Sequence, residues 1–258
     1  MTEPPHAHPT PSSAPLAAAF FDVDETLISV NSMSRFLRHH WRTAGRPRPA
    51  LDEAVRGLRA LAARGASRSE LTRAYYRLYA GCDAQELAAQ GRAWFAAEVR
   101  VGDLFLTATV AALRKHRRRG DTVVLVSGSF APCLDPVVEW LGADELLCAR
   151  PESVGGILTG KLDVAMVGEE KAAAVRALLR ARGIPAARCH AYGDHASDLA
   201  MLRAVGHPVV VGADPLLIRH AEEHGWRRIP ASARPRSLPD WSGQRPPLQG
   251  RTTKGETA

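Results

Sequence analysis

Apolar residues recur in two rhythms along this chain. Between residues 32 and about 119 they return at helical spacing: Met33, Phe36, Leu37 and His40-Trp41, then Leu51, Val55, Leu58 and Leu61, then Leu71, Tyr75, Leu78 and Tyr79. Ser67-Arg68-Ser69-Glu70 is a capping-box pattern that opens the third of these helices, and Asp83 to Glu86 can cap Leu87–Val99 in the same way. A last helix is expected from Asp103 to Arg119, stopped by Gly120. Elsewhere the rhythm is short and blocky. Leu16–Phe21, Thr122–Val126, Glu145–Ala149, Cys189–Tyr192 and Pro208–Val211 read as strands. Helices are predicted over 131–141, 169–182, 197–205 and 215–224, and a hairpin over Val154–Leu162. Strands alternating with helices predict an α/β fold with a parallel sheet covered on both faces.

This gives one α/β domain, residues 16–30 and about 120–229, interrupted after its first strand by a helical insert over 31–119. Residues 1–15 hold five prolines and no period, and read as a disordered arm; His6 and His8 within it carry no metal signal. Residues 230–258, rich in Pro, Arg and Ser, read as a disordered tail. The aromatic set Tyr75, Tyr76, Tyr79, Trp94 and Phe95 is expected in the core. The cluster Lys115, Arg117, Arg118 and Arg119 is expected as a solvated helix end.

Composition changes this picture little. The formal net charge of +7 is carried by Arg, with Lys only at 115, 161, 171 and 254, and part of the excess lies in the tail. The folded part is only mildly basic, so no nucleic-acid partner is expected. Cys82, Cys133, Cys148 and Cys189 have neither zinc-site nor disulfide spacing, which suggests a reducing compartment. No leader pattern and no apolar run of about 18 residues occurs, so a cytoplasmic protein without membrane partners is expected.

The candidate chemistry begins where the first strand ends. Asp22 and Asp24 would share a face if that strand continued, and two carboxylates so close call for a positive partner such as a hard divalent cation. Taken alone, the pair also fits a strand end followed by an acidic turn. Ser127 and Asp194 likewise follow predicted strands directly. In open parallel sheets ligands bind beyond the carboxyl ends of the strands, so these three residues should converge on one edge. Lys171 sits near the start of a helix, where the dipole disfavours a cation unless an anion is close. Lys161, in the hairpin, competes for the same role.

Phe21-Asp22-Val23-Asp24-Glu25-Thr26-Leu27 resembles the first motif of the haloacid dehalogenase-like phosphohydrolase superfamily. Ser127, Lys171 and the segment Gly193-Asp194-His195-Ala196-Ser197-Asp198 match its other three motifs in order. The layout is most similar to the subfamily that contains phosphoserine phosphatase, and covers roughly residues 16–228. The resemblance implies a Rossmann-like core with a helical cap in the insert, and a Mg²⁺-dependent phosphatase acting on a small phosphorylated metabolite, as monomer or homodimer. It implies Asp22 as the nucleophile that forms an aspartyl phosphate, Asp24 as acid and base, and Lys171 as the neutralising cation. Asp22, Asp24 and Asp194 would ligate the metal, with Asp198 behind them. Ser127 and Gly128 would hold the phosphoryl oxygens, Thr26 would pin the loop beside the substrate, and Asn31 would meet the substrate. Glu25 is expected exposed or paired with the cap.

Two positions depart from the pattern. Ser197 stands where the fourth motif usually has Asn. Asn31 stands where phosphoserine phosphatases carry a Glu for the substrate ammonium, which disfavours phosphoserine; Asn31 can equally be the N-cap of the helix that follows. Phosphoryl transfer to an acceptor other than water, and a non-catalytic phospho-ligand-binding module, are the alternative functions.

Overall fold

The computed structural model describes residues 17–230. The expected arm at 1–15, with its two histidines, and the tail beyond Pro230 lie outside the described residues. Strand β1 is Ala18–Phe21, and the insert then supplies α1 Ser32–Thr43, α2 Arg48–Ala63, α3 Arg68–Tyr76, α4 Ala84–Val101 and α5 Thr107–Arg119. Next come β2 Thr122–Phe130, α6 Ala131–Leu141, β3 Glu145–Val154, β4 Ile157–Val164 and α7 Glu169–Arg182. The chain finishes with β5 His190–Gly193, α8 Leu199–Leu202, β6 His207–Val211, α9 Pro215–His224 and β7 Arg227–Ile229.

Among the described residues the strands form one seven-stranded sheet, ordered β4-β3-β2-β1-β5-β6-β7. All neighbours pair in parallel except the β3–β4 hairpin. Side chains alternate across a strand, so each apolar run feeds two cores. Phe20, Val124, Val126 and Ala191 pack with Val175 and Leu179 of α7, Met201 and Leu202 of α8, and Leu217 of α9. Phe21, Val123, Leu125 and Tyr192 face the other way, towards Val110 and Leu113 of α5 and Leu134 and Val137 of α6.

The insert has no separate core. Phe36, Trp41, Tyr75, Tyr76, Tyr79, Leu87 and Trp94 belong to the same apolar cluster as that second face. Main-chain bonds fasten it to the hairpin: Gly81 N–H to Leu158 O at 2.8 Å, Leu158 N–H to Cys82 O at 2.9 Å and Ala84 N–H to Gly156 O at 2.9 Å. The Tyr76 hydroxyl donates to Gly128 O of β2 at 3.0 Å.

Several elements differ from expectation: β3 runs on to Val154 rather than stopping at Ala149, α8 is only Leu199–Leu202 within the expected 197–205, and three further differences bear on the site or the sheet edge. Helix α5 begins at Thr107, not Asp103, because Leu104 and Phe105 are buried and the Ser29 N–H reaches Leu104 O at 2.7 Å. That bond ties the end of the insert to the loop after β1. Strand β2 runs on to Phe130, so Ser127 and Gly128 lie in extended chain rather than a turn. Strand β7 was not anticipated; it has three residues, two of them exposed arginines, and its pairing with β6 comes from position alone.

Helices α4 and α6 pack closely through Gly91. A Cβ there would overlap the Pro132 carbonyl oxygen, whereas one at Gly57 of α2 meets nothing within 4 Å. Gly91→Ala should therefore destabilise the protein by about 1–3 kcal/mol. Gly57→Ala should stabilise it by about 0.5–1 kcal/mol. Thermal unfolding of the two variants checks both signs.

Candidate active site

The site is built where β1, β2 and β5 end. The Asp22 N–H donates to Tyr192 O at 2.9 Å, which extends the sheet by one residue and fixes the start of the loop. The loop then folds on itself, with the N–H groups of Leu27 and Ile28 both reaching Val23 O at 2.9 and 3.0 Å. This turn places Glu25, exposed, at φ 58°, a left-handed conformation that a non-glycine residue adopts at some cost.

Thr26, expected to pin the loop beside the substrate, is fully buried and does brace it. Its hydroxyl donates to Asp194 Oδ1 at 2.7 Å, and its carbonyl accepts from the Thr109 hydroxyl of α5 at 2.5 Å.

Lys171 is the third residue of α7 and is buried. Its Nζ donates to Asp22 Oδ1 at 2.5 Å and to Asp198 Oδ1 at 2.6 Å. The helix start is held by Glu170, whose Oε2 accepts from the N–H groups of Ala165 and Met166 at 2.6 and 2.8 Å. The competitor Lys161 is solvent-exposed, 3.7 Å from Glu152, and takes no part.

Asp198 has its second oxygen on the His195 N–H at 3.3 Å, so both of its oxygens are engaged. It packs so tightly on β5 that a Cβ at Gly193 would lie 2.6 Å from its own Cβ. Asp22, Asp194 and Asp198 bring carboxylate oxygens within 4.8 Å of one another. An all-oxygen set of this kind, with Asp194 partly exposed, suits a hard divalent cation. Asp24, also expected to ligate through its chain, is not in that group; its Oδ1 is buried with no hydrogen-bond partner.

The electrostatics follow from burial and crowding. Burial raises the Asp22 pKa well above the usual carboxylate range; Lys171 opposes this, and Asp198 and Asp194 add to it. Burial and the charge of Asp22 raise Asp24 to about 7. Burial raises Asp194 to about 6 against the Thr26 hydrogen bond. Burial alone would depress Lys171, but Asp198 and Asp22 outweigh it and hold the ammonium above its ordinary value.

These groups line a cavity of about 250 Å³. Ser127 and Gly128 form part of its wall, within β2, where the pairing with β3 shifts register. The Ser127 Oγ accepts from the Ser129 N–H at 3.1 Å, so that N–H is not free for a ligand as a simple turn would have left it. Asn31 also lines the cavity, but its Oδ1 accepts from the Ser34 N–H at 2.9 Å as the N-cap of α1. Met33, Arg68, Thr72 and Ser129 face the same space and were not assigned to it from sequence. Arg68 carried a signal: it occupies the first position of a helix, where a cation is unfavourable, the same feature that marked Lys171.

Residues 19–203 match the family model described as haloacid dehalogenase-like hydrolase. The chain belongs to that family. Within the haloacid dehalogenase-like hydrolases it is phosphoserine phosphatase-like. It is 31% identical over 226 residues to the inhibition of morphological differentiation protein of Streptomyces azureus, covering 83% of this chain and 78% of that one. It is 32% identical over 218 residues to a phosphoserine phosphatase of Mycobacterium tuberculosis, covering 81% and 69%. Its fold is similar to that of a protein of unknown function from Bordetella pertussis Tohama I, with TM-score 0.75 and 24% identity over 84% of this chain and all of the other. A substrate-bound phosphoserine phosphatase complex shares the fold at TM-score 0.61 and 19% identity, over 83% and 92%.

In this hydrolase the buried lysine is the counter-charge of the carboxylates. Removing one partner of a buried ion pair typically costs about 3–5 kcal/mol. Asp22 already has a folded-state pKa above its unfolded one, so its favourable contribution is complete at low pH and lost as pH rises through the folded value. Lys171→Met pushes that value higher. The variant, melted in chelator, should be destabilised much more at pH 8 than at pH 5. An equal loss at both pH values contradicts this electrostatic account.

Proposed function

We propose that this protein is a Mg²⁺-dependent phosphatase that hydrolyses a small phosphate monoester through an aspartyl phosphate on Asp22. The observation that carries the reading is Lys171, buried between Asp22 and Asp198, with Asp194 alongside at the end of the neighbouring strand. One Asp22 oxygen attacks phosphorus as the bond to the leaving oxygen breaks. Asp24, whose pKa of about 7 keeps a proton available, delivers it to the departing alkoxide. A water then attacks the phosphoaspartate, Asp24 takes back its proton, and phosphate and free Asp22 are regenerated. Lys171 compensates charge on Asp22 and on the phosphoryl group throughout, and Ser127 orients a phosphoryl oxygen.

Asp22 and Asp194 would hold the cation, with the Asp24 main-chain carbonyl, and Asp198 would steady Lys171 from behind. When bound, Mg²⁺ lowers the repulsion between the carboxylate nucleophile and the anionic phosphoryl group.

The division of labour is that of a core, 16–30 and 120–229, and a helical cap. The last helix of the 31–119 cap, α5, packs on the sheet and braces Thr26, and so ties the cap to the core. The substrate is not phosphoserine: the Asn31 side chain supplies no charge for an ammonium, and its oxygen is engaged on Ser34. The substrate pool is that of small cytoplasmic metabolites. No helix among the described residues is long and apolar enough to cross a membrane.

Asp22→Asn should lower turnover of a generic aryl phosphate by several orders of magnitude while the unfolding transition is kept, since an amide cannot form the acyl phosphate. Retention of a tenth of the activity refutes the assignment. Chelator should abolish phosphate release and Mg²⁺ restore it, while Ca²⁺, with its larger and looser shell, should not. Release without any added acceptor separates hydrolysis from phosphoryl transfer. No turnover of any ester indicates a binding module.

A further inference from the structure

We propose that the leaving group of the substrate carries a negative charge of its own, with no ammonium, and that Arg68 is the residue that reads it. This rests on the phosphatase reading above. The cavity that holds Asp22 and Lys171 is closed on the insert side by Asn31, Met33, Arg68 and Thr72. Two of these have a side-chain oxygen engaged. The Asn31 oxygen caps α1, and the Thr72 hydroxyl donates to Arg68 O at 2.8 Å. Met33 is apolar. The Arg68 guanidinium has neither a hydrogen bond nor an ion pair with any described residue, whereas the neighbouring Arg73 bonds Leu162 O at 2.6 Å and lies 3.6 Å from Glu170.

Local stability does not account for Arg68. It stands at the first position of α3, where the helix dipole is unfavourable to a cation. The acid of that turn, Glu70, is committed to the Ser67 N–H and hydroxyl, both at 2.7 Å. Nor is Arg68 needed for the buried carboxylates, which Lys171 contacts directly. His195, which also borders the cavity, has its Nδ1 engaged by Ser197, 3.1 Å from the N–H and 3.0 Å from the hydroxyl. Arg68 is thus the uncommitted cation among the described residues of this wall.

The chemistry of that wall sets the substrate class. A guanidinium pairs with a carboxylate or a second phosphoryl group in bidentate fashion, and it repels an ammonium. No carboxylate of the insert lines the cavity; the exposed acid on its border is Glu25, from the loop after β1, so on the insert side an amino group on the leaving alcohol would face Arg68. A volume of about 250 Å³ lies below the roughly 300–1,000 Å³ of pockets for drug-sized ligands, so the leaving group is short.

A size-matched series tests this: phosphoglycolate (anionic), 2-hydroxyethyl phosphate (neutral) and phosphoethanolamine (cationic), with ethylene glycol bisphosphate to separate a carboxylate from a second phosphoryl group. The wild-type protein should favour at least one of the two anionic esters over the neutral one by tenfold or more in kcat/KM, and should handle the cationic ester worst. In Arg68→Met the ratio of anionic to neutral kcat/KM should fall by about tenfold or more. Arg68→Glu should invert the order in favour of phosphoethanolamine. Because Arg68 is exposed, folding of both variants is expected and is checked by thermal unfolding. A wild-type enzyme indifferent to leaving-group charge, or an Arg68→Met variant that lowers every ester equally, overturns this inference and leaves the phosphatase reading standing. Absence of phosphate release from every ester, aryl phosphate included, overturns both.

Discussion

A buried ammonium wedged between two buried carboxylates sets the terms for this molecule. Lys171 lies 2.5 Å from Asp22 and 2.6 Å from Asp198, inside a site that otherwise holds acids. Three carboxylates cannot be brought within 4.8 Å of one another in low dielectric without positive charge between them. The geometry of the sheet edge therefore depends on delivering one lysine from α7 to the end of β1. Glu170 pins the start of α7, and Gly193 lets Asp198 approach β5. The same cation that allows Asp22 to be buried also holds Asp198 in place beside it.

Around that clamp the fold divides its tasks. The parallel strands end together and supply Asp22, Ser127 and Asp194. The insert covers the open edge and shares one apolar core with the sheet, through Phe36, Tyr76, Tyr79 and Trp94. It is fastened to the β3–β4 hairpin by main-chain hydrogen bonds and to β2 by the Tyr76 hydroxyl. So attached, the insert brings Met33 and Arg68 to the cavity that Asp22 lines. The insert thus contributes side chains of α1 and α3 to the cavity wall, while the clustered carboxylates stay with the sheet.

Much of this was legible in the residues. The strand-end positions of Asp22 and Asp194 could be read because apolar runs stop abruptly before them, and α7 and α9 occupy the predicted ranges. Thr26 pins the loop as expected, but its partners, Asp194 and the Thr109 hydroxyl, are far away in sequence and are given only by the packing. The strand expected over Thr122–Val126 runs on through Ser127-Gly128-Ser129 because β3 continues alongside, a tertiary pairing with no local signal. Arg68 was hidden inside a capping box, whose pattern explained its neighbours so well that the arginine itself drew no notice. Which face of α3 looks into the cavity depends on how the insert docks, and periodicity alone does not give that.

The central claim is that Asp22 carries the phosphoryl group during turnover. Acid quench of the enzyme in steady state, followed by borohydride reduction and peptide mapping, tests it at the level of the bond. An aspartyl phosphate is reduced to homoserine, so the account predicts homoserine at position 22, appearing only when Mg²⁺ and a phosphate ester are both present. Homoserine at Asp24 or Asp194, or no homoserine at any position while phosphate is being released, would contradict it.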